Sequence, residues 1–417
     1  MSIRKLALPR TRRSCSKSFN FLSIAAVALL LTSVVSAEPE LFSSEIKGQR
    51  MAGFEALYNM RYEPAAEHFQ EIIRLDPEHP AGYIYLASSI WLKHLAALRR
   101  LQSQLYNRND SFFVKTNDTV DPDVDKQFQD LIGKGIRLAE DRVKKDKNDV
   151  VALYFLGVAK GALAGYESTV KRSFFSSLRN GSKAVELHRA VLKRDPNFTD
   201  AYLSVGMYDY VVGSLPFAVK ILAFIGGHHG SKKDGLAKLE KVYKDGTFAR
   251  VEAGVILVLF YDREKRLEDS LKIQKELSAR YSRNPIFRSE MARTLARLGR
   301  YSQSIKLYEE LLNDPVALDY MPDLIHYQYA ETLFELNLWE KAYHHYMVSS
   351  GFSKAPESLI TMSHLEAGKC LDALQKRELA LKEYQFVLNR AQAFHSREQA
   401  QKYLKKPFVP EGQEKQP

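Results

Sequence analysis

Along the C-terminal half of the chain, small and aromatic residues alternate with polar ones in a pattern that returns at a constant interval. Three stretches carry it: Arg288 to Leu311, His326 to Ser349 and His364 to Val387. Each places small residues at two fixed points, Ala292 and Ser304, Ala330 and Ala342, Gly368 and Ala380. A tyrosine follows the second point by one helical turn, at Tyr308, Tyr346 and Tyr384. Gly299 and Asn337 separate the halves of the first two stretches, each trailed by an aromatic, Tyr301 or Trp339. The pattern predicts pairs of antiparallel helices. Two helices cross closely only where both present small side chains, and the neighbouring aromatic fills the groove toward the next pair. Gly or Asn between them supplies the left-handed backbone that ends the first helix.

The N-terminal region repeats the grammar. Gly53, Ala65, Phe69 and Pro77 stand at equivalent places, with Asn59 at the turn and Tyr62 after it, and Tyr83, Leu86 and Ala87 continue the next helix. Pro64 suits the first turn of a second helix, where its missing N–H is no loss. Between these regions the pattern loosens. Leu156-Gly157 marks one first helix, Ala184 with Pro196 a second helix, and Tyr202 with Gly206 the next first helix. Gly235 with Leu239, and Ser270 with Leu277, read as further second helices. Pro77, Pro196 and Pro285 punctuate repeat ends.

This spacing resembles the tetratricopeptide repeat, with its small residues at the eighth and twentieth positions, an aromatic at the twenty-fourth and a proline near the thirty-second. The likeness is good over 46–90 and 286–390. It implies an all-α solenoid of antiparallel helix pairs. The interval, from Arg288 to His326 and from there to His364, exceeds the usual value of about 34, so helices or turns are lengthened. The repeat positions to test are therefore Gly53, Ala65, Phe69, Ala292, Ser304, Tyr308, Ala330, Ala342, Tyr346, Gly368, Ala380 and Tyr384.

Two stretches interrupt the array. Residues 106–124 are rich in Asn, Asp and Thr and predict a loop. Residues 206–239 are the most distinctive: a helix reaches Val212, breaks at Gly213, and Pro216 opens a short apolar helix to Ile225. Here Gly206, Leu215, Pro216, Lys220, Gly227, Gly230, Gly235 and Leu236 resemble the signature of the tetratricopeptide-repeat protein 39 group and its fungal outer-mitochondrial-membrane relatives. That resemblance implies a membrane-associated or lipid-linked scaffold. The segment Leu215–Ile225 is too short to span a bilayer, which needs about 20 residues. It either plugs the superhelix or lies on a membrane with Lys220 at the water edge.

The domain layout expected is a signal peptide over 1–37, helix pairs over 38–105, a loop over 106–124 and an irregular central region over 125–248 with the insert at 213–227. A regular array over 249–403 and a disordered tail over 404–417 complete it. The signal reading rests on a basic start (Arg4, Lys5, Arg10, Arg12, Arg13, Lys17), an apolar run from Phe21 to Leu31, and small residues at Val35-Ser36-Ala37. It implies export, periplasmic or secreted, by cleavage or with the segment kept as an anchor; the family likeness carries no such segment.

Charge and chemistry change this picture little. Six of the 61 basic residues and none of the 50 acidic ones lie in 1–37, so the remainder carries only +5 and needs no nucleic-acid partner. Beyond Cys15 only Cys370 remains, so packing, not a disulfide, must hold the mature fold. Gly226 to Lys232 has the wrong order for a phosphate loop. His228-His229 and His344-His345 point about 100° apart on a helix, which disfavours one shared metal. Asp121, Asp123 and Asp125 lack the central Gly and final Glu of a calcium loop. Asn109, Asn117, Asn180 and Asn197 begin glycosylation triplets, relevant only in a eukaryotic secretory pathway. No catalytic residues, cofactor or metal are expected. The reading is a scaffold that holds a peptide or partner helix in its groove, with Tyr154, Tyr208, Tyr210 and Tyr329 as candidate contacts, each of which taken singly reads more readily as a core residue. The alternative is a carrier or sensor of an apolar ligand, or a membrane-peripheral adaptor working through 215–225.

Overall fold

Helix-starting chemistry recurs down the chain. Proline occupies the first turn at Pro80, Pro122, Pro285, Pro315 and Pro322, and side chains of Ser43, Asp121, Asp149, Ser231, Asn284 and Asp314 accept the first free N–H groups. The result, in a computed structural model that describes residues 41–101, 120–215, 220–221, 229–390, 393 and 395–410, is eighteen α-helices and no strand among those residues. Sixteen of them form eight antiparallel pairs: α1 (Ser44–Tyr58) with α2 (Tyr62–Leu75), α3 (Pro80–Ala97) with α4 (Pro122–Lys145), α5 (Val150–Thr169) with α6 (Phe174–Arg194), α7 (Tyr202–Gly213) with α8 (Lys232–Asp245), α9 (Arg250–Arg263) with α10 (Leu267–Arg280), α11 (Pro285–Arg297) with α12 (Tyr301–Leu312), α14 (Pro322–Glu335) with α15 (Trp339–Ser350), and α16 (Glu357–Ala373) with α17 (Arg377–Leu388). A short helix, α13 (Pro315–Tyr320), links two pairs, and α18 (Ser396–Lys405) covers the last. The fold is a tetratricopeptide-like solenoid.

The small residues do what close crossing requires. A methyl group placed on Gly53 would meet the Phe69 ring at 2.5 Å, and one on Gly368 would meet the Tyr384 ring at 2.5 Å. In these two pairs the aromatic of the second helix thus lies on the small residue of the first. The second-helix aromatics also reach the element that follows: Phe69 lies 5.6 Å from Tyr85 and Tyr308 stacks on Tyr329 at 5.4 Å, each in the next pair, and Tyr384 lies 5.6 Å from Tyr403 on α18. Ala65, Ala292, Ser304, Ala330, Ala342 and Ala380 are fully buried, as are Tyr308 and Tyr346.

The first helix of most pairs ends in one left-handed residue: Met60, Arg99, Lys265, Gly299, Asn337 or Gln375. The next residue's N–H then reaches back to a helix carbonyl at 2.8–2.9 Å, as from Arg61 to Ala56 and from Leu338 to Leu333. This is the Schellman end. It corrects the placement of the first turn: Asn59 has φ −86°, and Met60 takes the left-handed conformation. The spacing of these residues also explains the long interval. The step from Lys265 to Gly299 is that of an ordinary repeat. The steps from Gly299 to Asn337 and from Asn337 to Gln375 are longer, because α13 is added to one and the 351–356 loop to the other.

The buried side chains form two cores, one running from Leu41 to Tyr281 and the other from Leu271 to Ala400. Helix α5 is the one described helix long and apolar enough to cross a membrane, and 72% of its apolar window is buried within the first core. Residues 1–37 and most of 106–124 and 213–227 lie outside the described residues. The loop expected to 124 ends earlier, since Asp121 caps α4 and Pro122 opens it. The disorder expected from 404 is corrected over 404–410: α18 runs to Lys405, Phe408 packs against other rings, and Pro410 is buried.

Candidate binding surface

In the first core the inner helices converge on the segment that opens α1. Phe42 lies within ring contact of His79 (4.9 Å), Phe155 (5.8 Å) and Phe248 (6.2 Å). The guanidinium of Arg50, fully buried on α1, sits 4.3 Å from the Phe248 ring. Tyr58 donates its hydroxyl proton to the buried carboxylate of Glu252 on α9. Desolvation pushes that carboxyl well above the usual carboxylate range. Asp200 accepts N–H bonds from Thr247, Phe248 and Ala249 at 2.7–3.2 Å, fastening the approach to α9. The α1–α2 turn then meets the later repeats. Asn284 donates to the Tyr58 carbonyl (2.8 Å), Tyr320 to the Met60 carbonyl (2.6 Å), and Arg99 pairs with Asp323 (2.9 Å). The chain has wound back on itself, and segment 41–58 occupies the inner space of the first five pairs.

This placement corrects the tyrosine candidates. Tyr154 is 1% exposed, packed among Phe155, Phe198, Phe248 and the His188 ring. Tyr210 is equally buried, stacked on Phe260 at 3.7 Å with its hydroxyl donating to Glu264 (2.8 Å). Tyr329 is buried between Tyr308 and His345. Tyr208 stays half-buried, with the Arg189 guanidinium 4.9 Å from its ring. The four do not form one surface: Tyr154 and Tyr329 pack against their own or the preceding pair, Tyr210 against the next, and only Tyr208 keeps part of its surface in water.

The second core leaves a different inner face. Asp262, Arg293 and Arg297 form a charged cluster, with Arg297 2.6 Å from Asp262 and Arg293 paired with Glu290. At the last turns of α14 and α16, Phe334 and Asp372 occupy the same place in successive repeats. Residues 406–410 lie across both. The Phe408 ring is 5.8 Å from Phe334 and 5.6 Å from Tyr403, and its N–H donates to Asp372 at 2.8 Å. The same carboxylate is held by Arg377 (2.9 Å) and the Tyr384 hydroxyl (2.8 Å), and Arg377 donates onward to the Tyr403 and Leu404 carbonyls. The sequence missed this site. An Asp in a last turn with an Arg shortly after it reads as a solvated pair.

The third feature is the base of the apolar insert. A methyl on Gly235 would sit 2.5 Å from the Tyr210 nitrogen, and one on Gly206 3.0 Å from the Gly235 carbonyl. At Gly213 it would meet the Lys232 nitrogen at 2.4 Å, and at Gly230 the Asp209 carbonyl at 2.6 Å. Helices α7 and α8 therefore cross backbone against backbone, and the four glycines are the contact. Lys238–Asp209 (2.6 Å) and Lys232–Glu264 (2.7 Å) brace it. Of the insert, Lys220 donates to the Gly213 carbonyl (3.3 Å) and Ile221 is 46% exposed.

The sequence model of Iml2/Tetratricopeptide repeat protein 39 matches residues 199–409, half of the chain, and the match begins at this crossing. The chain belongs to the Iml2/Tetratricopeptide repeat protein 39 family. No curated protein matches it by sequence. Among solved structures it is similar to the human IFIT1 dimer with PPP-AAAA (11% identity, 94% of this chain and 86% of that chain, TM-score 0.44). It is also similar to yeast Tom70 (12%, 87% and 88%, TM-score 0.38) and to a tetratricopeptide repeat protein from Parabacteroides merdae (10%, 77% and 99%, TM-score 0.32).

In this family member the chemical candidates have structural partners. His326 and His345 share one proton between Nδ1 atoms 2.8 Å apart, and burial pushes both down to about 4. His364 meets Glu383 at 2.5 Å. Burial pushes the Cys370 thiol up, away from a reactive thiolate. Asp125 pairs with Lys171 (2.9 Å). Among the described residues no group of three or more His, Cys, Asp or Glu is placed to hold a metal; His228 lies outside them.

Proposed function

We propose that this chain is a non-catalytic scaffold that binds a peptide or helix of a partner protein on the inner face of its C-terminal array. The observation that carries it is the contrast between the two cores: the first fills its inner space with segment 41–58, while the second lays non-helical chain across Phe334 and Asp372. A photoactivatable residue at Glu335, on the inner face, is expected to crosslink a partner in the native compartment, while one at Lys306, exposed on a second helix, is not. Adducts from Lys306 alone would remove the reading. Export as a periplasmic or secreted protein is part of the proposal, resting on residues 1–37, and sequencing the mature N-terminus tests it. A membrane-peripheral role for 215–225 is favoured by the exposed Ile221 beside Lys220. Ile221→Asp is expected to abolish co-sedimentation with anionic vesicles, and unchanged sedimentation would end that reading.

A further inference from the structure

We propose that residues 406–410, Lys-Pro-Phe-Val-Pro, are an internal ligand of the α14–α16 face, and that this face takes an extended partner peptide with an aromatic residue followed two positions later by proline. The proposal deepens the scaffold reading and rests on it.

Three observations carry it. First, the tail binds as an extended strand binds. Lys406 has extended backbone (φ −138°, ψ 129°), and Pro407, which fixes its own φ and has no N–H, follows it. Pro407 and Val409 are exposed, whereas Phe408 is half-buried and Pro410 buried. This two-residue alternation is that of a chain with one side on a surface. Second, the receiving groups are built in advance. Asp372, its side chain 1% exposed, is fixed by Arg377 and the Tyr384 hydroxyl and accepts the Phe408 N–H in addition. A carboxylate so held is a ready acceptor for any strand that presents an N–H there. The ring is received by Phe334, itself propped edge-on by Trp339 at 4.8 Å. Third, the hold is shallow. Phe408 keeps part of its surface in water and Val409 is 42% exposed, unlike the core aromatics Tyr346 and Tyr384. A tethered segment held this way competes at high effective concentration and screens out weak partners. A partner that presents the same residues displaces it.

The test uses the full chain and a labelled synthetic peptide of sequence Lys-Lys-Pro-Phe-Val-Pro-Glu. Phe408→Ala is expected to bind this peptide at least tenfold more tightly than the parent chain, by fluorescence anisotropy. The added change Phe334→Ala, or Ala for Phe in the peptide, is expected to abolish binding. Should Phe408→Ala fold poorly, a dye on Val409→Cys in the otherwise unaltered chain gives the second readout: the peptide is expected to release the dye into faster rotation. No peptide binding by folded Phe408→Ala, or no dye response at millimolar peptide, overturns the proposal and makes the tail a fixed cap. Partner crosslinks from Glu335 that persist in that case leave the scaffold reading standing without this one. Loss of both removes both.

Discussion

The first and last thirds of this solenoid use one grammar to opposite ends. Around residues 41–58 the inner positions carry Arg50, Tyr58, Tyr154, Asp200, Glu252 and Phe248, groups that contact one another although far apart in the chain. In the α11–α16 region the inner positions carry Arg297, Phe334, Glu335 and Asp372, and what crosses the last of these is a short tail. Pairing alone thus builds the rod; the inner side chains decide whether its hollow becomes core or surface.

The comparison breaks most visibly at Arg50. Arg50→Ala empties the space of a fully buried side chain and takes its guanidinium off the Phe248 ring, and is expected to cost about 3–5 kcal/mol, read from urea unfolding. Lys306→Ala, on the exposed side of the C-terminal array, is expected to stay within about 0.5 kcal/mol. Equal effects would erase the distinction between the two regions.

Acid sharpens it next. His188 is fully buried, accepting from the Ser204 hydroxyl at Nδ1 (2.6 Å) and donating to the Tyr154 carbonyl from Nε2 (3.1 Å), and burial pushes it down to about 4. The unfolded chain takes up a proton near 6.5 and the folded chain only near 4. Stability is therefore full above about pH 6.5 and falls as pH drops toward 4, by about 3 kcal/mol for this group. His188→Gln is expected to flatten that slope, and a melting temperature independent of pH over this window would contradict the burial. The His326–His345 pair adds the same sign in the second core.

Smaller still is the crossing of α7 and α8. Gly235→Ala must move the Tyr210 backbone and is expected to cost about 1–3 kcal/mol, whereas Gly48→Ala, with open space around it, should be neutral or slightly stabilising. The smallest effect belongs to the turns: Gln375→Gly, at φ 59°, is expected to stabilise by about 0.5–1 kcal/mol. A loss of stability there would mean that the Gln375 side chain makes contacts that outweigh its backbone strain.

Much of this was legible beforehand. The pairing of Gly53 with Phe69 and Gly368 with Tyr384 could be read from spacing because both partners lie on neighbouring helices, close together in the chain. The signature glycines were visible too, though not that Gly206, Gly230 and Gly235 meet at one crossing together with Gly213. The turn was read one position early, since Asn59 is a better left-handed residue than Met60 but the Schellman bonds fix the geometry from the helix side. The sequence left Tyr154, Tyr210 and Tyr329 open between groove and core, because an aromatic on a first helix looks the same whether it packs between helices or faces the hollow; all three are buried. The tail was read as disordered from its prolines and charges; its anchor, Asp372, belongs to an earlier helix pair.

The sequence by itself determined the helices, their pairing and the close approach at small residues, because these depend on contacts between neighbours along the chain. Only the tertiary structure decided that α1 fills the hollow, that Tyr154 and Tyr210 are core, and that Phe408 reaches Asp372. Those depend on the accumulated twist of successive pairs, which brings distant residues together and which no local pattern encodes.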